Sequence, residues 1–170
     1  MKSSLTDTLC TRCGLCCDGS LFADVELASD TETSALEVMG LAIEHADGDE
    51  GGLLLQPCSA LNGTKCSIYP HRPDCCRTFK CRLFQEVERG VVGVERAKSK
   101  IAEALKRIRR VEELVVQLGT GDEGLPLKER CVEALELSKA SHPARSRKRA
   151  ELQSALLTAE RLIQATFPGG

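Results

Sequence analysis

The stretch CTRCGLCC (residues 10–17) places four cysteines within eight positions of the chain: Cys10, Cys13, Cys16 and Cys17. Thiolates bind soft or borderline metal ions, and cysteines separated by two residues converge on one centre when the backbone turns sharply between them. Gly14 lies inside this run and permits such a turn. The stretch therefore predicts a metal-binding segment near the start of the fold.

A second set of cysteines lies further along the chain: Cys58, Cys66, Cys75, Cys76 and Cys81. The spacings in this set are irregular, so we expect its thiols to come from several turns of the chain. The segment between the two sets is long enough to fold back on itself. We therefore expect thiols from both sets to meet around metal.

Both zinc and an iron-sulfur cluster fit this pattern of cysteines. The repeated two-residue gap of the first stretch, followed by a distant fourth cysteine, is typical of cubane iron-sulfur proteins, whereas zinc sites more often combine two pairs. Cys17 directly follows Cys16, and neighbours in sequence point apart, so we expect Cys17 to reach a second metal or another corner of a cluster. Eight thiolates suffice for two four-cysteine sites, or for one such site and one cluster with an open position.

The main alternatives to metal binding are disulfides and buried apolar thiols. The N-terminal sequence MKSSLTDTLC lacks the apolar stretch of a secretory signal, and no run of about 18 apolar residues offers a membrane span. The vicinal pairs Cys16–Cys17 and Cys75–Cys76 cannot bridge internally without strain. We therefore expect a cytoplasmic, reduced protein with no membrane association.

Composition limits how much the apolar core can stabilise the fold. The chain has 170 residues, of which 42% are apolar and only 3% aromatic, and this suits one modest domain. A structural metal contributes on the order of 10 kcal/mol to folding, so it can compensate for a small apolar core.

The charge of the chain gives no sign of a nucleic acid partner. The formal net charge is −2. The basic run ARSRKR (residues 144–149) has no interleaved aromatic residues, so we interpret it as a solvated helix face.

The predicted fold class is α+β, with a cysteine-rich module (residues 1–90) followed by a C-terminal three-helix extension (residues 91–170). In the module we predict short strands over residues 21–27 and 53–58, a helix capped by Ser29 or Asp30 that ends at Gly40, and a polar loop or hairpin over residues 45–52. Apolar periodicity predicts helices over residues 94–118, from Pro126 onward, and from Ser141 or His142 to about residue 166. We expect these helices to pack on the module or to form a small bundle.

Five short segments together resemble a known family: CTRCGLCC, LFADVEL, QPCSAL, KCSIYPHRP and CCRTFKC. They are similar to the YkgJ-type cysteine-cluster family, which carries the CxxCxxCC signature and is described as a zinc- or iron-chelating domain. The resemblance covers about residues 10–85. It implies eight metal ligands: Cys10, Cys13, Cys16, Cys17, Cys58, Cys66, Cys76 and Cys81. Cys75 falls on a variable position, and its role stays open.

Several other residues near the second set are candidates for parts of the site. Tyr69, Arg72 and Arg77 surround the ligands, and we predict that they support the metal from outside the ligand set; the alternative is a solvated turn. His71 is interpreted as a loop histidine, since eight thiolates already suffice. Cys131 lies on an apolar helix stripe, which predicts a packed core thiol.

The leading functional hypothesis is a metalloprotein that holds zinc or an iron-sulfur cluster, in electron transfer or in support of a protein partner. One rival is an enzyme whose cluster takes part in redox chemistry or protein methylation, because the same signature occurs in flagellin lysine methylases. No glycine-rich cofactor loop follows a strand here, so that activity is not transferred. The other rival is an interaction module in which the metal only stabilises the fold.

Overall fold

The computed structural model describes residues 4–45, 51–119, 122–138 and 143–168, and over these it has the predicted α+β fold. The helices are α1 (Leu5–Cys13), α2 (Asp30–Val38), α3 (Asp74–Thr78), α4 (Arg82–Glu88), α5 (Val94–Gln117), α6 (Leu127–Leu137) and α7 (Pro143–Thr166). The strands are β1 (Asp24–Glu26), β2 (Ile43–Glu44), β3 (Leu53–Leu55), β4 (Leu61–Asn62) and β5 (Lys65–Cys66). A 3-10 turn covers Tyr69–His71.

The strands form two small antiparallel sheets. In the first, the order is β1-β3-β2, and Leu54 of β3 pairs with Val25 on one side and Ile43 on the other. In the second, β4 and β5 form a hairpin in which Leu61 pairs with Cys66. The strand predicted over residues 21–27 is shorter than expected, since only its last part pairs with β3.

Helix α2 begins and ends where its capping residues predicted. The Ser29 hydroxyl accepts a hydrogen bond from the Glu32 N–H at 3.3 Å, and Gly40 has a left-handed φ of 82° just after the helix. The predicted loop over residues 45–52 follows β2, and its residues 46–50 lie outside the described part of the chain. The position of α2 thus follows from local signals.

The three C-terminal helices are those that the apolar periodicity predicted. Helices α5 and α7 run antiparallel, because Arg110 lies 3.5 Å from Glu151 and Arg145 donates to the Leu118 carbonyl at 3.4 Å. Arg149 likewise donates to the Leu135 carbonyl near the end of α6. Part of the basic run therefore binds the carbonyl ends of two neighbouring helices, where positive charge is favourable. Ser141 and His142, the predicted cap of α7, lie outside the described residues.

The described residues contain two hydrophobic cores. The larger core joins α1 and α4 to the three C-terminal helices, so that Leu9, Leu15 and Leu83 pack with residues from both sides of position 90. The smaller core lies under the first sheet and contains Leu27, Leu36, Leu41, Leu54 and Ala60. The helical extension therefore shares this core with the cysteine-rich module. Among the described helices, none has the length and apolar content that crossing a bilayer requires.

Candidate metal centre

Helix α1 and the turn after it position the first four cysteines. The Ser4 hydroxyl accepts from the Asp7 N–H at 3.0 Å, and Asp7 accepts from the Ser4 N–H at 3.3 Å, which fixes the start of the helix. Cys10 and Cys13 lie one turn apart at its end and share a face. Gly14, with a left-handed φ of 72°, ends the helix and turns the chain through the next two cysteines.

The segment around Cys58 and Cys66 folds back onto this turn through direct contacts. The Cys58 N–H donates to the Cys17 carbonyl at 2.8 Å. The Thr64 hydroxyl, in the hairpin that leads to Cys66, donates to the Thr11 carbonyl at 2.6 Å. The hairpin approaches so closely that a β-carbon added at Gly14 would lie 3.2 Å from the Thr64 Cα. Thiols from both halves of the module are thereby brought together, as the spacing predicted.

The remaining cysteines enter from two short helices. Cys75 and Cys76 lie in α3, whose start is held by a hydrogen bond from the Asp74 N–H to Glu32 at 2.8 Å. Cys81 immediately precedes α4 and caps it with extended backbone geometry. The next residue, Arg82, donates its N–H to the Phe167 carbonyl at 3.1 Å. The position of Cys81 therefore depends on the C-terminal end of α7.

These segments enclose one cavity of about 460 Å³. Nine cysteines line it: Cys10, Cys13, Cys16, Cys17, Cys58, Cys66, Cys75, Cys76 and Cys81. All ten cysteines of the chain are free thiols, and Cys131 lies apart from the others, buried on α6. The structure thus brings all eight predicted ligands to one cavity and adds Cys75 to them.

The chemistry of the lining side chains indicates what kind of metal group they fit. Among the described residues, the cavity is lined by nine cysteines and two aspartates, Asp7 and Asp24, and by no histidine. Thiolates are soft ligands that bind zinc and the iron atoms of iron-sulfur clusters. The donor set therefore fits zinc or an iron-sulfur cluster.

Burial and mutual charge keep the thiols near α1 protonated in the absence of metal. Burial raises the pKa of Cys10 to about 11 and that of Cys13 to about 12, and the charge of Cys81 adds to the increase at both. Burial, followed by the charge of Cys13, raises the pKa of Cys16 as well. A bound metal must therefore displace protons from these groups, so that metal binding releases protons.

The thiols near the hairpin interact in the same way with one another. Burial raises the pKa of Cys17 to about 12, and the charges of Cys58 and Cys66 add to it. A hydrogen bond with Cys75, followed by burial, raises the pKa of Cys76, while the same hydrogen bond lowers the pKa of Cys75. The vicinal pair in α3 is thus in direct side-chain contact.

Of the three residues predicted to support the site, two lie at the cavity. The Arg72 guanidinium stacks 3.7 Å above the centre of the Tyr69 ring and donates to the Tyr69 carbonyl at 3.1 Å. Although burial raises the pKa of both Cys10 and Cys17, the positive charge of Arg72 opposes that increase at each of them. Arg77 is exposed and does not line the cavity.

Sequence reasoning missed Gln56 as a residue of this site. Its side chain is 3% exposed and lines the cavity, and its Oε1 atom has no hydrogen-bond partner in the structure. The Gln56 Nε2 donates to the Leu54 carbonyl at 3.5 Å, so only the oxygen lacks a partner. A buried amide oxygen without a partner is uncommon and fits a position that contacts a bound group. The only available signal was its place two residues before Cys58, which is too weak to predict a contact.

Comparison with known proteins gives one family. Neither a curated protein nor a solved structure matches the chain significantly. A family model, CxxCxxCC, described as a putative zinc- or iron-chelating domain, matches residues 9–113. The match runs past the cysteines into α5, consistent with the core that joins the module to the helices. Because the match covers more than half of the 170 residues, the chain belongs to the CxxCxxCC family of metal-chelating domains.

Proposed function

We propose that this chain is an iron-sulfur protein that transfers electrons to or from a protein partner. The observation that carries the proposal is the cavity of about 460 Å³, lined by nine thiols, which is more sulfur ligands than one zinc ion takes, and by no histidine in the described part of the chain. Cysteine thiolates are the ordinary protein ligands of iron-sulfur clusters, and a bound cluster supplies reversible one-electron chemistry. Zinc supplies none, because it does not change its oxidation state.

The position of the cavity supports a role in electron transfer. Cys10 is exposed, so the cavity reaches the protein surface at the end of α1. Lys80 and Arg72 lie at the cavity as well, and they place positive charge next to the thiolates. A redox partner that presents acidic side chains would meet complementary charge at this edge. Free thiols persist in reducing compartments, which supports a cytoplasmic location.

The test is to purify the full chain anaerobically and to measure iron, acid-labile sulfide and zinc per chain. We expect brown protein that contains iron and sulfide. Its absorbance at about 400 nm should decrease on reduction with dithionite and return on reoxidation. Colourless protein that contains stoichiometric zinc and no sulfide would contradict the proposal and would favour a metal that only stabilises the fold.

A further inference from the structure

We propose that Gln56 helps to hold the metal group, as a neutral oxygen donor to the metal among the thiolates. The inference rests on the proposed function, because it requires that the cavity holds a metal. It adds a residue that the cysteine signature of the family does not include. The donor atom is Oε1 of a side chain that is 3% exposed and lines the cavity.

The two ends of the Gln56 amide have different surroundings. Nε2 donates to the Leu54 carbonyl at 3.5 Å, whereas Oε1 is buried and accepts no hydrogen bond from the described residues. Turning the amide over would place its oxygen beside the Leu54 carbonyl oxygen, and two acceptors repel each other. Strand β3 therefore sets the orientation of the amide. The lone pairs of Oε1 are left for a bound group.

Buried side-chain atoms without a hydrogen-bond partner are rare in this protein. In the described part of the chain there are two, Gln56 Oε1 and Arg130 Nε. Arg130 lies on α6, does not line the cavity, and has the Glu112 carboxylate 3.8 Å from its guanidinium. Of the two atoms, only the Gln56 oxygen belongs to a residue of the cavity. Leaving a buried acceptor unpaired lowers stability, which favours a binding role for this atom.

The backbone fixes Gln56 between the two sets of cysteines. Its N–H donates to the Ala23 carbonyl at 2.9 Å, in the segment that follows the first set. Two residues later, the Cys58 N–H donates to the Cys17 carbonyl at 2.8 Å. The chain is thus held on both sides of Gln56, against the same segment that carries the first thiols. A side chain on a backbone fixed in this way can be positioned as precisely as a metal contact requires.

An amide oxygen suits this set of donors because it carries no charge. Nine thiols line the cavity, and each one that binds metal does so as a negatively charged thiolate. The two aspartates at the cavity, Asp7 and Asp24, are exposed, and a carboxylate ligand would add further negative charge. The lone pairs of an amide oxygen attract the positive metal and repel a thiolate or sulfide. The contact of Oε1 is therefore with the metal and not with sulfur.

The test compares Gln56→Leu, which removes the oxygen and keeps a side chain of similar size, with Gln85→Leu. Gln85 is the matched control, because its Nε2 also donates to a backbone carbonyl, that of Lys80 at 2.8 Å, but it does not line the cavity. Competition of the metal-loaded full chain with a chelator measures metal retention. Gln56→Leu should weaken retention by about ten- to 100-fold, and Gln85→Leu should retain metal as the wild type does. Wild-type retention in Gln56→Leu, or equal loss in the two variants, would overturn the proposal.

Unfolding with and without metal distinguishes a metal contact from general packing. In the metal-free full chain, Gln56→Leu should be at least as stable as the wild type, because leucine leaves no buried acceptor unpaired. In the loaded chain, the same variant should be less stable than the wild type, because it binds the metal less tightly. Equal destabilisation in both forms would overturn the proposal and leave Gln56 a purely structural role.

For the iron-loaded chain, the reduction potential reports which end of the amide faces the metal, and it decides if the metal-free chain does not fold. An oxygen that faces the metal opposes the arrival of an electron, so Gln56→Leu should raise the potential. A lowered potential would overturn the proposal, because it would mean that Nε2 donates to the sulfurs, and so would an unchanged one. Zinc in the wild type would contradict the proposed function, and zinc retention in the two variants would still test Gln56.

Discussion

Arg72 is the residue whose position best explains how so many thiolates can share one cavity. It stacks on Tyr69, and its charge reaches both Cys10 in α1 and Cys17 in the turn after α1. Four thiolates carry more negative charge than a metal group cancels, so a fixed cation beside them lowers their mutual repulsion. Arg77, only five positions further along, is exposed and makes no contact with the cavity.

Arg72→Gln should therefore weaken metal retention by about tenfold or more, because it removes the cation while keeping a polar side chain. Competition with a chelator, followed by absorbance, measures the effect. Arg77→Gln is the matched control and should retain metal as the wild type does. Equal loss in the two variants would show that Arg72 acts only through general surface charge.

Cys131 provides a separate prediction at this scale. Burial raises its pKa from 9.0 to about 11, so the folded state keeps the neutral thiol while the unfolded chain ionises above about pH 9. Because the unfolded state then releases its proton first, the wild type should lose stability relative to Cys131→Ala as the pH rises from about 9 to about 11. Urea unfolding of both proteins at about pH 8 and about pH 10 measures this difference. Parallel changes in the two proteins would contradict it.

Among the elements, the turn after α1 matters most, because it carries two thiols and receives the hairpin. Gly14 and Gly90 have the same left-handed φ of 72°, but only Gly14 faces a neighbour, the Thr64 backbone at 3.2 Å from an added β-carbon. Substitutions at the two glycines therefore distinguish two losses of folding free energy: the loss from a strained backbone conformation and the loss from displacing the hairpin.

Both Gly14→Ala and Gly90→Ala should lose about 1 kcal/mol of stability, because alanine is strained in the left-handed region. Gly14→Ala should lose roughly a further 1 kcal/mol through its contact with Thr64, and it alone should bind less metal. Thermal unfolding and metal analysis of the two variants test this. Normal metal content in Gly14→Ala would show that the hairpin accommodates the added methyl group.

Local signals explain which elements could be predicted from the sequence. Helix α2 has its cap at Ser29 and its stop at Gly40, and α5 has an uninterrupted apolar period, so both were predicted within a residue or two. Helices α1, α3 and α4 were not predicted. Helices α1 and α3 carry cysteines, which interrupt the apolar period on which such predictions depend, and α4 has only 7 residues, too few to show a period.

The eight candidate ligands were predicted from spacing and family resemblance, and all of them line the cavity. Which contacts bring them together could not be predicted from the sequence, because these contacts join distant segments. The hydrogen bond between Cys58 and Cys17, and the contact of Thr64 with Gly14, join residues that no local pattern connects. The position of Gln56 at the cavity could not be predicted for the same reason.

At the scale of the whole molecule, the helices do more than extend the cysteine-rich module. The larger core includes Leu15 and Phe84 from the module and Val111 from α5, so neither part buries its apolar surface alone. Phe167, just after α7, is 1% exposed, lines the cavity, and accepts the hydrogen bond that starts α4 beside Cys81. The C-terminus is therefore part of the support for the metal-binding thiols.

Phe167→Ala should lower the free energy of unfolding by about 3–5 kcal/mol and should also reduce metal content, because it leaves a void next to Cys81. The control is Leu157→Ala, in the same C-terminal region but 54% exposed, which should change stability by less than about 0.5 kcal/mol. Chemical unfolding and metal analysis measure both effects. Unchanged metal content in a destabilised but folded Phe167→Ala protein would show that Phe167 stabilises the core without supporting the cysteine site.

The exposure of Cys10 has a consequence for how the protein withstands air. Of the ten cysteines it alone is exposed, so dissolved oxygen would reach Cys10 before the less exposed thiols. Oxidative damage in cells or during aerobic purification would then begin at this residue. A preparation made on the open bench would accordingly lose its metal through Cys10 first.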